Sequence, residues 1–145
     1  MKILITGSSG FISKYFTNNS ELKNTHFLGI DLVESNNTNL IYDIKKSIKL
    51  EKLPKKVDLI INLAAIHREP GHQPSEYFDT NILGAENVTE LAEKVNCNHI
   101  IFTSSISPYG IEDKLKGAAL YSDIISVFKN RIWSRKGISN TDIIP

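Results

Sequence analysis

Cysteine is almost absent from this chain. Cys97 stands alone among 145 residues, which excludes an internal disulfide framework and fits a reducing compartment. An excess of either charge is lacking too: 17 lysines and arginines face 16 acidic side chains, a balance that gives no electrostatic footprint for nucleic acid. Lys45, Lys46, Lys49, Lys52, Lys55 and Lys56 do cluster. No aromatic residues interleave among them for base stacking, so a solvated face is the simpler reading. No apolar run reaches the roughly 18 residues of a membrane helix, and Met1 leads straight into an apolar strand pattern rather than a charged leader. A cytoplasmic protein with no membrane partner is expected. Repeats, low-complexity tracts and linkers are missing as well, and 145 residues suit one domain with a proper core. His67 and His72 bracket a loop without carboxylate or cysteine spacing around them, so no metal centre is expected.

What is present is concentrated in residues 1 to 31. Met1-Lys2-Ile3-Leu4-Ile5-Thr6 reads as a strand, Gly7-Ser8-Ser9-Gly10-Phe11-Ile12 as a glycine turn opening a helix, and His26-Phe27-Leu28-Gly29-Ile30 as a second strand closing on Asp31. Gly7 permits the tight turn, and Gly10 lets backbone N–H groups at the helix start approach a pyrophosphate with no Cβ in the way. Asp31 falls about 20 residues beyond the turn, where a carboxylate accepts hydrogen bonds from both adenosine ribose hydroxyls. A negative charge there repels a 2′-phosphate, which favours NAD over NADP. Ser13 takes the place of the usual third glycine, so slightly looser helix-to-sheet packing is expected.

Further along, Ser35 to Asn39 reads as a polar loop, Leu40-Ile41-Tyr42 as a short strand, and the lysine-rich segment to about Lys52 as a weak helix stopped by Pro54. Val57 to Leu63 is a nearly continuous β-branched and leucine run, the mark of a strand covered on both faces. Small residues follow it at Ala64 and Ala65. After a loop from His67 to Ser75, a long helix is expected from about Glu76 to Val95. His99 to Thr103 is another buried strand, delivering Ser104 and Ser105 to the same edge as the glycine turn. Tyr121 to Arg135 fits a further helix and Asp142-Ile143-Ile144 a last strand. Strands alternating with helices predict an α/β fold, a doubly wound Rossmann-type parallel sheet.

These blocks together resemble the extended short-chain dehydrogenase/reductases, the group of NAD-dependent nucleotide-sugar epimerases and dehydratases. The resemblance runs from Met1 to Gly110 through the glycine turn, Asp31, Tyr42-Asp43-Ile44, Asn62-Leu63-Ala64-Ala65, Thr80 to Val88, and Phe102 to Gly110. It implies that Gly7, Ser9, Gly10, Phe11 and Ile12 hold the pyrophosphate, Asp31 and Leu32 the adenosine ribose, and Asp43 with Ile44 the adenine edge. Leu63, Ala64 and Ala65 would line the nicotinamide floor, with Thr103 nearby, and Asn81 would tie the central helix to the sheet. Ser105 matches the family's catalytic Ser/Thr. In the intact family NAD takes a hydride from a sugar carbon, a tyrosine takes the hydroxyl proton, and the serine steadies the oxygen. Ile106 and Ser107 stand where dehydratases usually carry an acidic pair, which favours an epimerase-like or reductase-like ancestor. The string His67-Arg68-Glu69-Pro70-Gly71-His72 further resembles a bacterial subgroup tied to surface-polysaccharide biosynthesis.

The family's base is the Tyr of a Tyr-x-x-x-Lys pair, whose lysine charge lowers the phenol pKa towards neutrality. Here Tyr121 is followed at that offset by Ile125, and Tyr109 by Asp113. Neither has the lysine; Tyr121 is carried as the candidate, a poor base without that cation, with residues 111 to 145 read as a divergent or truncated tail. The resemblance places the family's smaller C-terminal substrate domain beyond these residues, so half of a substrate site is expected here. Two readings follow: the NAD-binding portion of a nucleotide-sugar epimerase/dehydratase-like oxidoreductase, or a catalytically inactive NAD-binding remnant serving as an interaction module. The long central helix is the face by which such proteins form homodimers.

Overall fold

The computed structural model describes residues 1–19, 22–49, 51, 53–67 and 71–104. Met1–Thr103 forms one compact unit and Ser104–Pro145 a second, of which Ser104 alone is among the described residues. Within the first unit, five parallel strands lie in the order β3-β2-β1-β4-β5. They are β1 (Lys2–Thr6), β2 (His26–Asp31), β3 (Leu40–Ile41), β4 (Leu59–Asn62) and β5 (Ile100–Phe102). Helix α1 (Phe11–Thr17) follows β1, and between β4 and β5 the chain runs through α2 (Pro74–Phe78), a π-helical stretch (Asp79–Leu83) and α3 (Gly84–Lys94).

Strand alternation splits the core between the two faces of the sheet. Leu4, Ile30 and Ile60 point to one face, where Val88, Leu91, Ala92 and Val95 from α3 and its C-cap close over them with Ile44, Ile48 and Val57. Ile3, Ile5 and Ile61 point to the other, against Phe16 of α1. Helices on opposite faces of a parallel sheet make it doubly wound, as the alternating pattern predicts. Leu4, Ile30 and Ile60 are fully enclosed; truncating any one to alanine is a change of about 2–5 kcal/mol.

Each helix has a local reason for its ends. Pro74 opens α2 beside a reciprocal capping box in which Gln73 N–H donates to Glu76 Oε2 at 2.8 Å, satisfying donors that a helix start leaves free. At the far end, Asn96 takes the left-handed conformation with φ 50. Cys97 N–H then reaches back to Ala92 O at 2.8 Å and Asn96 N–H to Glu93 O at 3.2 Å, a Schellman stop. It turns Cys97 into the core, where it packs as a small apolar residue.

The segment after β3 differs from its expected form. No helix forms over residues 44–49. Asp43 Oδ1 instead accepts the Lys45 N–H at 3.0 Å and Asp43 O the Lys46 N–H at 3.0 Å, a side-chain turn that competes with helix formation, and buried Ile48 then carries the chain across the core. The long helix also departs from uniformity, widening to a π-turn over Asp79–Leu83.

Candidate cofactor site

Because all five strands run the same way, their carboxyl ends share one edge. Gly7, Asp31, Tyr42, Leu63 and Thr103 all leave the sheet there. Strand β1 lies between β2 and β4, so the chain's connections diverge on either side of it, the crevice where open α/β sheets take ligands.

Gly7 sits at that point with φ 71. A Cβ on it would lie 2.8 Å from Leu63 C and 2.8 Å from Ala64 N; only glycine allows both the turn and the approach. The turn closes with Gly10 N–H on Gly7 O at 3.1 Å. Gly10 is the N-cap of α1, with no side chain capping the helix and no acidic residue in its first turn, so the positive end of this short helix carries no carboxylate of its own. Phe11 and Ile12 are exposed beside it. Ser13, in the third glycine position, is buried with no hydrogen-bond partner for its hydroxyl among the described residues, which makes this contact a local cost rather than a support.

Asp31 is already engaged with the turn. Its Oδ2 accepts the Ser9 N–H at 2.8 Å and its Oδ1 the Val33 N–H at 3.1 Å. A carboxylate offers about four acceptor positions, so two remain for the vicinal hydroxyls of a ribose. Leu32 is exposed next to it. The turn and the acid thus fit an adenine dinucleotide: a backbone cradle closed to any Cβ, beside a positioned, half-free carboxylate.

On the other side of β1, Thr6 and Asn62 tie β1 to β4 by a buried side-chain bond, Thr6 Oγ1 donating to Asn62 Oδ1. Leu63 N–H donates to Thr6 O at 3.1 Å. Thr103 caps the neighbouring strand by donating both N–H and Oγ1–H to Asn62 O, at 3.3 and 3.1 Å. Leu63 and Ala64 are half-buried and Ala65 exposed. Asn81, in the π-helical stretch, exchanges two bonds with one residue of the loop after β4: Nδ2 donates to Ile66 O at 2.9 Å and Oδ1 accepts the Ile66 N–H at 2.8 Å. Mid-helix π-turns mark functional positions often enough to be informative.

At the adenine edge, Asp43 is occupied by its own turn and lies 3.7 Å from Lys45 Nζ. The Ile44 side chain is buried against Gly84, where a Cβ would lie 2.7 Å from Ile44 Cδ1, and Ile44 O accepts the Asn87 side-chain amide at 2.8 Å. The Ile44 side chain is therefore part of the core rather than of the sheet's open edge. Ser105 and Tyr121 lie outside the described residues. His67 is exposed, and His72 Nδ1 lies 3.5 Å from Glu76 Oε2. Among the described residues no group of His, Cys, Asp or Glu converges as a metal site, and no helix is long and apolar enough to cross a membrane.

Ser8, Ser35, Thr38 and Asn39 were not singled out by sequence reasoning. Their signal is only a polar loop, because the contacts that give them meaning join it to Gly29 and, thirty positions away, to Ser8.

Known proteins resemble this chain in sequence and in fold. The family model for the NAD dependent epimerase/dehydratase family matches residues 3–124. UDP-glucose 4-epimerase of Pisum sativum is 33% identical over 137 residues, covering 79% of this chain and 39% of the relative. N-acetyl-alpha-D-glucosaminyl-diphospho-ditrans,octacis-undecaprenol 4-epimerase of Escherichia coli O157:H7 is 30% identical over 112 residues, covering 75% of this chain and 34% of the relative. The chain thus spans well under half the length of either curated relative. Among solved structures, UDP-glucose-4-epimerase from Stenotrophomonas maltophila, with bound NAD and formylated UDP-arabinopyranose, superposes with a TM-score of 0.71 at 17% identity, over 90% of this chain and 49% of that one. The sheet order, the glycine turn with its acid, and the match over residues 3–124 agree: the chain belongs to the NAD dependent epimerase/dehydratase family.

Proposed function

We propose that this chain is the NAD-binding portion of a nucleotide-sugar epimerase/dehydratase-like oxidoreductase, residues 1–145 forming its cofactor domain. The observation that carries this reading is the bond from Ser9 N–H to the Asp31 carboxylate. It holds the acid against the glycine turn while leaving acceptor positions for ribose, and it sets a negative charge where a 2′-phosphate would sit. Backbone N–H groups of Phe11 and Ile12 face the pyrophosphate, with Gly10 leaving room for it, and Asp31 with Leu32 the adenosine ribose. The Asp43–Ile44 backbone lies towards the adenine edge. Leu63, Ala64 and Ala65 form the floor on the nicotinamide side, which Asn81 steadies through Ile66. NAD, when bound, supplies a hydride acceptor. The chain's own task is to orient it, and Ser105 and Tyr121 are the candidates for handling the sugar hydroxyl. Both curated relatives are named as epimerases of diphosphate-linked sugars, which supports a nucleotide or lipid-linked sugar as substrate of the whole protein. The E. coli relative and the His67 to His72 string support a setting in bacterial surface-polysaccharide metabolism.

A second reading rests on one sequence observation, the isoleucine at position 125 where the family's lysine should follow Tyr121. Without that cation the phenol stays protonated near pH 7, and the chain is an inactive NAD-binding module. Calorimetric titration with NAD tests the shared part. Saturable binding that Gly10→Val abolishes is expected, since a side chain there starts 3.0 Å from Gly7 O; no binding by the folded chain contradicts both readings. Adding UDP-glucose to the NAD-loaded chain bears on the second reading, which an epimerised sugar would overturn.

A further inference from the structure

The loop Ser35–Asn39 does not stand free. It folds back over the carboxyl half of β2 so closely that a Cβ on Gly29 would lie 1.7 Å from Asn37 O and 2.6 Å from Ser8 Cβ. No other residue fits between the loop and the glycine turn. Two bonds lock the loop to the strand: Gly29 N–H donates to Asn39 Oδ1 at 2.8 Å, and Asn39 N–H to Gly29 O at 2.9 Å. A chain of hydroxyls then crosses to the turn. Ser35 Oγ lies 2.8 Å from Thr38 Oγ1, and Thr38 Oγ1 lies 3.0 Å from Ser8 Oγ. Ser35 Oγ also accepts the Asn37 N–H at 3.2 Å.

Ser8 is buried, so its hydroxyl needs that partner. Its backbone N–H is spent on Ile30 O at 3.3 Å, and the next N–H along, that of Ser9, is the one on Asp31. Ser8 is therefore fixed at both ends, and Ser9 can reach the carboxylate only from where Ser8 is held.

We propose that Thr38 is a positioning residue for the cofactor: its hydroxyl bridges Ser35 and Ser8, braces the glycine turn from the adenosine side, and so sets the Ser9–Asp31 contact that presents the carboxylate to ribose. This rests on the cofactor reading given above. Thr38 touches no ligand; it acts through Ser8. The brace accounts for three otherwise unrelated features, the glycine at position 29, the hydroxyl-rich loop and the buried serine in the turn.

The test compares Thr38→Val, which keeps the shape and removes the hydroxyl, with Thr38→Ser, which keeps the hydroxyl. NAD affinity of the full chain is measured by calorimetry, and Ser9 amide exchange by NMR without ligand. Expected is a loss of about tenfold in NAD affinity for Thr38→Val, the scale of one buried hydrogen bond broken with its partners left unpaired. Thr38→Ser restores affinity. Ser9 exchange rises in Thr38→Val alone, while the Val88 and Leu91 amides in α3 keep their protection. Equal affinity and equal Ser9 exchange in wild type and Thr38→Val overturn the brace, as does equal loss in both variants, because retaining the hydroxyl would then preserve nothing. If the wild type binds no NAD, the cofactor reading fails. Ser9 exchange then still decides the brace by itself, an unchanged rate in Thr38→Val overturning it.

Discussion

The two sides of the crevice at β1 are held by different means. On the adenosine side the ties lie within one contiguous segment and are made by side-chain oxygens: Asp31 to Ser9 and Val33, Thr38 to Ser8 and Ser35, and Asn39 to Gly29. All of them fall within the first 39 residues. On the nicotinamide side the ties draw on separate segments spread from Thr6 to Thr103. Thr6 meets Asn62, Thr103 meets Asn62, and Asn81 meets Ile66. The first side is a self-contained cradle, whereas the second depends on β4, β5 and the central helix arriving together. Recognition of the dinucleotide is accordingly written into one contiguous segment, and the side where a sugar would react is assembled from several.

Gly7 is the position that serves both sides, so its replacement should have the largest effect. Gly7→Val forces a β-branched residue to φ 71 with its Cβ against Leu63 and Ala64, and should destabilise the chain by about 3 kcal/mol or more. That is a large share of the roughly 5–15 kcal/mol of a whole domain. Urea unfolding measures it; a near-normal midpoint would show that the turn is not pinned to β4.

Asn81→Ala should break one side only. It leaves the Ile66 N–H and C=O without their partner, a loss of about 1–3 kcal/mol. Amide exchange at Ile66 and proteolysis in the following loop should both increase, while Ser9 exchange stays at its wild-type rate. If Ser9 exchange accelerated as much as Ile66 exchange, the two sides would be one cooperative unit and the comparison would collapse.

The smallest effect should be a gain. Ser13→Ala removes a buried hydroxyl without a partner among the described residues and installs the best helix former, so stability should rise by about 1 kcal/mol. A loss of stability in thermal unfolding would mean that the hydroxyl has a use the α1 face does not reveal.

The sequence made the adenosine side legible in outline because its signals are local. A strand, two glycines, a strand and a terminal acid carry their own geometry, and Gly7 and Asp31 stand where that pattern sets them. The parallel order of the strands was also legible, since runs such as Val57 to Leu63 suit a sheet covered on both faces. What stayed hidden depends on distant pairs. Thr38 acquires its partner only when the loop folds over Gly29, and Asn87 reaches Ile44 O from 43 positions away. The expected helix towards Lys52 failed for the opposite reason: a local turn forms instead, the Asp43 side chain taking the Lys45 N–H and its carbonyl the Lys46 N–H. Likewise, nothing in the pattern of Glu76 to Val95 announced the π-turn that aims Asn81 at Ile66.

The central claim is that Asp31, held by the glycine turn, presents a carboxylate to the adenosine ribose of NAD. Calorimetric titration of the 145-residue chain and its Asp31→Ala variant with NAD tests it most directly. The account predicts saturable binding by the wild type and affinity at least about tenfold weaker in Asp31→Ala, the scale of lost charge-assisted hydrogen bonds, with α3 amide protection unchanged. Equal NAD affinity in the two proteins, or none in a folded wild type, would contradict it.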